Sequence, residues 1–267
     1  MLSYGRPMDE ATFEKLFDVR HRVVIVTGGT RGIGRAIAEG FVCGGARVVV
    51  GSRKAEACRE TEEHLRGLGS RSGGDALAVP SHMGDLDAIA VLVDSAVDRF
   101  GAVDIIVNNA ANALTQPLGE FTAEAWQKSF DVNLRGPVFL VQAALPHLER
   151  SEHAAIVNVI SAGAFLFSAN VAMYGAAKAA LMSFTRSMAA DFAPRGIRVN
   201  ALAPGTVDTD MVRANTPDAQ RSMANASFMR RAAHPDEMVG PVLYLASDAA
   251  SFMTGQVLLV DGGLVPH

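Results

Sequence analysis

Four side chains in the middle of the sequence have the types needed to move a proton to or from a substrate oxygen. Tyr174 and Lys178, in "MYGAAKAAL" (173–181), stand four apart in an alanine-rich run, which puts phenol and ammonium on one helix face. A free tyrosine ionises near pH ~10, too high for ready exchange near neutrality. A cation one helical turn away favours the phenolate and lowers that value. Ser161 closes the apolar run "AAIVNVIS" (154–161), where a hydroxyl can hydrogen-bond an oxygen on which charge develops. Asn133 lies in "FDVNLRG". Taken singly, each has a plainer reading: an exposed Tyr–Lys pair, a loop or cap serine, a polar residue tolerated in mid-helix.

A second group of residues suits a dinucleotide. In "TGGTRGIGRAIAEGF", Gly28, Gly32 and Gly34 crowd the point where the first strand turns into a helix. Glycine there permits the tight turn and lets a pyrophosphate approach the N–H groups of the helix N-terminus. The spacing Gly-x-x-x-Gly-x-Gly differs from the usual Gly-x-Gly-x-x-Gly fingerprint. The second strand should end on the residue that reads the adenosine ribose, acidic for NAD, with arginine nearby for the 2′-phosphate of NADP. Here it runs "VVVGSRKAEAC", with Ser52, Arg53 and Lys54 and no carboxylate before Glu56. Arg31 sits ahead of another helix start, where a cation opposes the dipole. Arg31 and Arg53, at strand ends expected to be neighbours, together favour a bound phosphate and hence NADP over NAD.

These residues need a scaffold that brings strand ends together. Continuously apolar runs at 22–28, 46–52, 76–80, 103–110, 154–161, 197–204 and 256–262 read as parallel strands covered on both faces. Helices are predicted over about 34–44, 54–68, 86–99, 122–148, 173–193 and 236–247 between them. The alternation predicts an α/β fold, a doubly wound parallel sheet of about seven strands with helices on both faces. Residues 1–20 read as an N-terminal arm with one short helix near Glu10–Phe17, and 21–267 as one domain.

Composition narrows the class. The 267 residues are 49% hydrophobic and 19% charged, with formal net charge −4 and no basic block, which disfavours nucleic-acid binding. The first residues lack the apolar core of a signal peptide, and no apolar run reaches the ~20 residues of a membrane span, so a soluble cytoplasmic protein is expected. Cys43 and Cys58 fall in predicted helices, form no metal spacing with histidine, and read as buried free thiols. No metal is expected.

The motifs "TGGTRGIG", "NNAA", Asn133, Ser161, "YGAAK", "APGTVDT" and "VLLVDGG" stand in the order and spacing of the short-chain dehydrogenase/reductase family, which the chain resembles over roughly 21–264. The resemblance implies a Rossmann-like fold and a reaction in which a ketone and a secondary alcohol interconvert, Tyr174 protonating the carbonyl oxygen during reduction by NADPH. It also implies that Lys178 binds the nicotinamide ribose and Asn133 holds a water in the proton relay. Cofactor contacts would come from Gly28, Thr30, Arg31, Gly32, Ile33 and Gly34, then Ser52 and Arg53, then His82 and Met83. Asn109 and Ala110 would back the adenosine ribose, and Tyr174, Lys178, Pro204, Gly205, Val207 and Thr209 would lie toward the nicotinamide. A homotetramer is likewise implied.

Two positions depart from the family pattern. Ala111 replaces a glycine in "NNAA", slightly crowding that loop. His82, in "PSHMGD", stands where the family usually has an aspartate that binds the adenine amino group; a neutral imidazole can accept one hydrogen bond. "SRK" with this histidine is similar to the NADPH-dependent carbonyl and retinal reductases of the family. Alternatives are a 3-oxoacyl thioester reductase, an NAD-dependent alcohol dehydrogenase, or a catalytically silent nucleotide-binding protein. An enoyl reductase is disfavoured because its tyrosine and lysine are spaced more widely. The substrate would be a small molecule under the segment from Gly205 to about His234, where Met211, Phe228 and Met229 form an apolar wall or belong to the core.

Overall fold

A computed structural model describes residues 8–167 and 171–265. Seven strands form one parallel sheet: β1 Val23–Thr27, β2 Arg47–Ser52, β3 Asp75–Pro80, β4 Ile105–Asn108, β5 Ala155–Val159, β6 Arg198–Pro204 and β7 Val257–Val260. Their spatial order is β3-β2-β1-β4-β5-β6-β7, so the chain winds outward from β1 in one direction and then from β4 in the other. The crevice at the carboxyl ends of the strands, where the order reverses, is the place this topology reserves for a ligand.

The helices are α1 Glu10–Leu16, α2 Gly32–Cys43, α3 Ala55–Gly69, α4 Leu86–Phe100, α5 Ala123–Phe130, α6 Gly136–Leu148, α7 Ala172–Phe192, α8 Asp210–Arg213, α9 Pro217–Asn225 and α10 Val239–Ala246. Alternate side chains of each strand enter opposite cores. Val24, Val26, Val48 and Val50 pack with Ile37 and Phe41 of α2 and Val242 of α10. Ile25, Val49, Ile106 and Ile156 pack with Leu92 of α4, Leu140 of α6 and Met188 of α7. Burial on both faces is why these strands read as unbroken apolar runs. No helix among the described residues is long and apolar enough to cross a membrane.

Two expectations need correction. The single helix predicted over 122–148 is two helices joined by a π turn, Asp131–Arg135, with Asn133 at its centre. Gly136 N–H closes the wider turn on Asp131 O. Cys58 is buried but Cys43 is exposed, because it ends α2 on the face away from the sheet. The short N-terminal helix is present as α1, its first turn capped by Asp9, which accepts the Thr12 N–H at 2.8 Å.

A buried polar chain fastens α7 to the sheet. Asn108 Nδ2 donates to Asn158 Oδ1 at 2.9 Å across β4 and β5, and Asn158 Nδ2 donates to Thr185 Oγ1 at 2.9 Å. Thr185 then donates to Leu181 O at 2.8 Å. Each bond satisfies a group that would otherwise be costly to bury, so the register of α7 against β5 is specified as well as stabilised.

Candidate active site

The glycine loop is shaped by steric limits. Gly28 and Gly32 have φ of +66° and +52°, a region other residues rarely adopt. A Cβ on Gly34 would fall 2.3 Å from Asn109 Nδ2 and 2.4 Å from Gly28 O. That crowding exists because Asn109 reaches across from β4 and donates to Thr27 O at 2.9 Å and Gly28 O at 3.3 Å. Thr27 Oγ1 in turn accepts the N–H groups of Asn109 and Ala110, each at 3.0 Å. Asn109, expected behind a ribose, therefore also ties the glycine loop to β4. No side chain caps α2, an arrangement that leaves its first-turn N–H groups suited to an anion. The cradle fits a dinucleotide pyrophosphate.

At the end of β2, Ser52 Oγ lies 2.8 Å from Thr30 Oγ1, joining the two strand ends predicted to be neighbours. Arg53 is exposed beside them. Arg31 instead forms an ion pair with Asp210 at 3.2 Å, with side chains 68% and 61% exposed. Such a pair is weak and exchangeable. Beyond β3, Met83 is buried and His82 is exposed, its Nδ1 accepting the Gly84 N–H at 3.0 Å.

The reactive group assembles where β5 meets α7. Ser161 follows β5 in extended conformation and accepts the Gly163 N–H at 3.0 Å, which leaves its own hydroxyl proton to donate. Tyr174, in the first turn of α7, packs beside it. Burial pushes the phenol up, and the Ser161 hydrogen bond pulls it partly back. Lys178 is fully buried, with Nζ donating to Val159 O at 2.8 Å and lying 5.8 Å from the centre of the Tyr174 ring. The expectation that this lysine lowers the phenol is not met here. Burial is the larger influence on the phenol, and burial also brings Lys178 itself down to about 7.

Asn133 is brought close by a different route. Its Oδ1 accepts the Asn112 N–H at 3.1 Å and its Nδ2 donates to Asn112 O at 2.8 Å. The side chain thus clamps the loop after β4 onto the π turn. Asn112 is a site residue that sequence reasoning missed; nothing local marks it out among the asparagines of "NNAANA".

The far side of the crevice is built from β6 onward. Pro204 is buried, and a Cβ on Gly205 would fall 2.7 Å from Asp261 Cα. Val207 pairs with Ala233 in an isolated parallel bridge, supported by Asp208 N–H to Ala233 O and Ala233 N–H to Thr206 O, both 2.9 Å. The roof from 208 to 232 therefore leaves and returns at one point, and Thr209 packs its methyl over Gly32. Met211, Phe228 and Met229 are exposed, which rules out core packing for them. Phe165 packs beside Leu181, whereas Leu166 and Phe167 are exposed. A cavity of about 560 Å³ lined by His153, Arg198 and Phe252 opens at the amino ends of β5 and β6, and holds none of these groups.

The family model for enoyl-(acyl carrier protein) reductase matches residues 28–265. The cis-4-hydroxycyclohexanecarboxylate dehydrogenase of Sinomonas cyclohexanicum is 40% identical over 91% of this chain and 96% of its own length. The chain belongs to the short-chain dehydrogenase/reductase family. Another member, the L-rhamnose 1-dehydrogenase (NAD(P)(+)) of Azotobacter vinelandii, is 39% identical over 91% of this chain and 96% of its own. The blue fluorescent protein from a metagenomic library, solved with NADPH, superposes with a TM-score of 0.87 at 31% identity, over 93% of this chain and 99% of that one.

The buried lysine of this short-chain dehydrogenase/reductase makes a stability prediction. Its ordinary value of 10.5 falls to about 7 in the folded chain. Between those values the unfolded chain holds a proton that the folded one has released, so the contribution of this position rises with pH across that window. Relative to Lys178→Met, which has no proton to lose, the cofactor-free wild type should gain up to ~1.4 kcal/mol of unfolding free energy per pH unit between about pH 7 and pH 9. Parallel urea titrations of both proteins check this; a difference that is flat with pH refutes it.

Proposed function

We propose that this oxidoreductase uses NADP(H) to interconvert a small ketone and the corresponding secondary alcohol, with Tyr174 as the proton donor and acceptor. The observation that carries the reading is the convergence of Ser161, Tyr174 and buried Lys178 at the carboxyl end of β5, on the same sheet edge as the glycine loop that follows β1. A bound nicotinamide supplies hydride in reduction and takes it up in oxidation. Ser161 donates a hydrogen bond to the substrate oxygen as charge builds there and keeps its own proton. Tyr174 gives its proton to that oxygen in reduction and recovers it in oxidation. Lys178 spends one of its three donors on Val159 O and keeps two for ribose hydroxyls and the relay.

Small Ala162 and Ala164 beside Ser161, under a roof with exposed Met211, Phe228 and Met229, suit a partly apolar carbonyl compound of modest size. A relative named for a hydroxycyclohexanecarboxylate supports an alcohol of that kind, and one named for rhamnose widens the class to sugars. A 3-oxoacyl thioester is the second reading, favoured by the acyl-carrier description of the matching family model. The four-residue spacing of Tyr174 and Lys178 argues against enoyl reduction itself.

NADP is favoured by Ser52 and Arg53 in the absence of a carboxylate at the end of β2, and by the NADPH complex of a structural relative. Arg31 would exchange its exposed partner Asp210 for the phosphate. A closed homotetramer is supported by Trp126, Phe139 and Phe184, exposed on α5, α6 and α7.

Three measurements test these statements. Tyr174→Phe keeps the ring and removes the hydroxyl, and should lower kcat by far more than tenfold; a loss below that, ~1.4 kcal/mol of barrier, overturns the assignment. Arg53→Ala should weaken NADPH at least ~tenfold while barely changing NADH, because a forked arginine–phosphate contact is worth roughly 1.5–3 kcal/mol. Ser52→Asp should reverse the preference, and wild-type binding of NADH as tight as NADPH would reduce the arginines to surface charges. Light scattering at micromolar concentration should give four times the chain mass; a monomer rejects the assembly.

A further inference from the structure

We propose that His82 presents a hydrogen-bond donor, and no acceptor, to the purine edge of the dinucleotide, so that the site takes a 6-oxo purine as readily as adenine. The proposal rests on the dinucleotide reading above and extends it to the base. β3 ends at Pro80, in register with Ser52, and the Ser81 N–H donates to Ser52 O at 2.7 Å. The next residue, His82, therefore stands beside the end of β2, where this topology reads the adenosine ribose. On the dinucleotide reading, the base lies one step further out, toward this loop.

The loop is held rigidly. Met83 is buried, and its carbonyl packs against Gly136 so closely that a Cβ there would fall 2.1 Å away. Arg135 Nη2 donates to Gly84 O at 2.8 Å. The imidazole lies against Gly84, where a Cβ would come within 2.9 Å of His82 Cε1.

That packing sets the tautomer. The Gly84 N–H donates to His82 Nδ1 at 3.0 Å, so Nδ1 carries a lone pair and the neutral ring holds its hydrogen on Nε2. The acceptor that the sequence offered to adenine is spent within the loop. The exposed Nε2–H has no partner among the described residues and is a donor. A 6-amino group, itself a donor, finds nothing at this nitrogen to receive it, whereas a 6-oxo group or a purine ring nitrogen accepts from it. A histidine that makes no bond to the amino group gives adenine no advantage at that position over a 6-oxo analogue.

The test is a binding titration of the purified protein with NADPH and NADH, each paired with its hypoxanthine analogue, followed by nicotinamide fluorescence. Wild type should bind the hypoxanthine form within threefold of the adenine form, or more tightly. His82→Asn, whose Oδ1 can take the Gly84 N–H in an Asx turn while its amide donates outward, should keep that indifference. His82→Asp, with one oxygen on Gly84 and the other toward the base, should come to favour adenine by tenfold or more. Wild-type discrimination against hypoxanthine above threefold, or an aspartate variant that gains no preference, overturns the role of His82 while leaving the dinucleotide site intact. Failure to bind any of the four nucleotides overturns the dinucleotide reading itself.

Discussion

The contact of α7 with β5 through Lys178 is the constraint on which the site depends. An ammonium removed from water loses hydration that a single carbonyl cannot replace, and the drop of its pKa to about 7 expresses that cost. The position is tolerable because the surrounding helix is fastened independently. The chain Asn108–Asn158–Thr185–Leu181 fixes α7 on the sheet a turn or two further along, so Lys178 cannot swing out without breaking buried hydrogen bonds. With the helix so placed, Tyr174 stands beside Ser161 at the strand end, part-buried.

The cofactor side of the crevice is organised by a different constraint, close approach of backbones. Asn109 reaches from β4 to the carbonyls of Thr27 and Gly28, and Gly34 has room only for hydrogen beneath that amide. The result joins β1, β4 and the start of α2 into one rigid rim. Opposite it, the roof from 208 to 232 hangs from the Val207–Ala233 bridge, with apolar side chains exposed along it. Arg31–Asp210 spans the rim and the roof, so the residue expected to meet a phosphate also touches the segment expected over the substrate. One exposed ion pair thus joins the two segments.

Much of this was legible in the sequence, and the legible part has a common cause. Continuous β-branched runs are what burial on both sheet faces requires, so all seven strands were read to within a few residues at their ends. Tyr174, Lys178 and Ser161 were readable because proton transfer needs particular side-chain types, and four-residue spacing puts two of them on one helix face. The π turn at Asp131–Arg135 was not readable, since the residues on either side keep good helical composition across it. The same loss of local signal hid Asn112, whose role exists only because a loop after β4 meets a helix twenty residues on.

The sequence by itself determined the kind of scaffold and the inventory of reactive groups, because periodicity reports which faces are buried and residue type limits which chemistry is open. The tertiary structure decided the state of those groups. It set the shifts of Tyr174 and Lys178, turned Arg31 toward Asp210, and used up the Nδ1 of His82 on Gly84. Protonation, pairing and tautomer are properties of a side chain's neighbours. For Tyr174, Lys178 and Arg31 those neighbours come from distant segments; for His82 the partner is two residues away, but the bond depends on a loop pinned by Arg135 and Gly136.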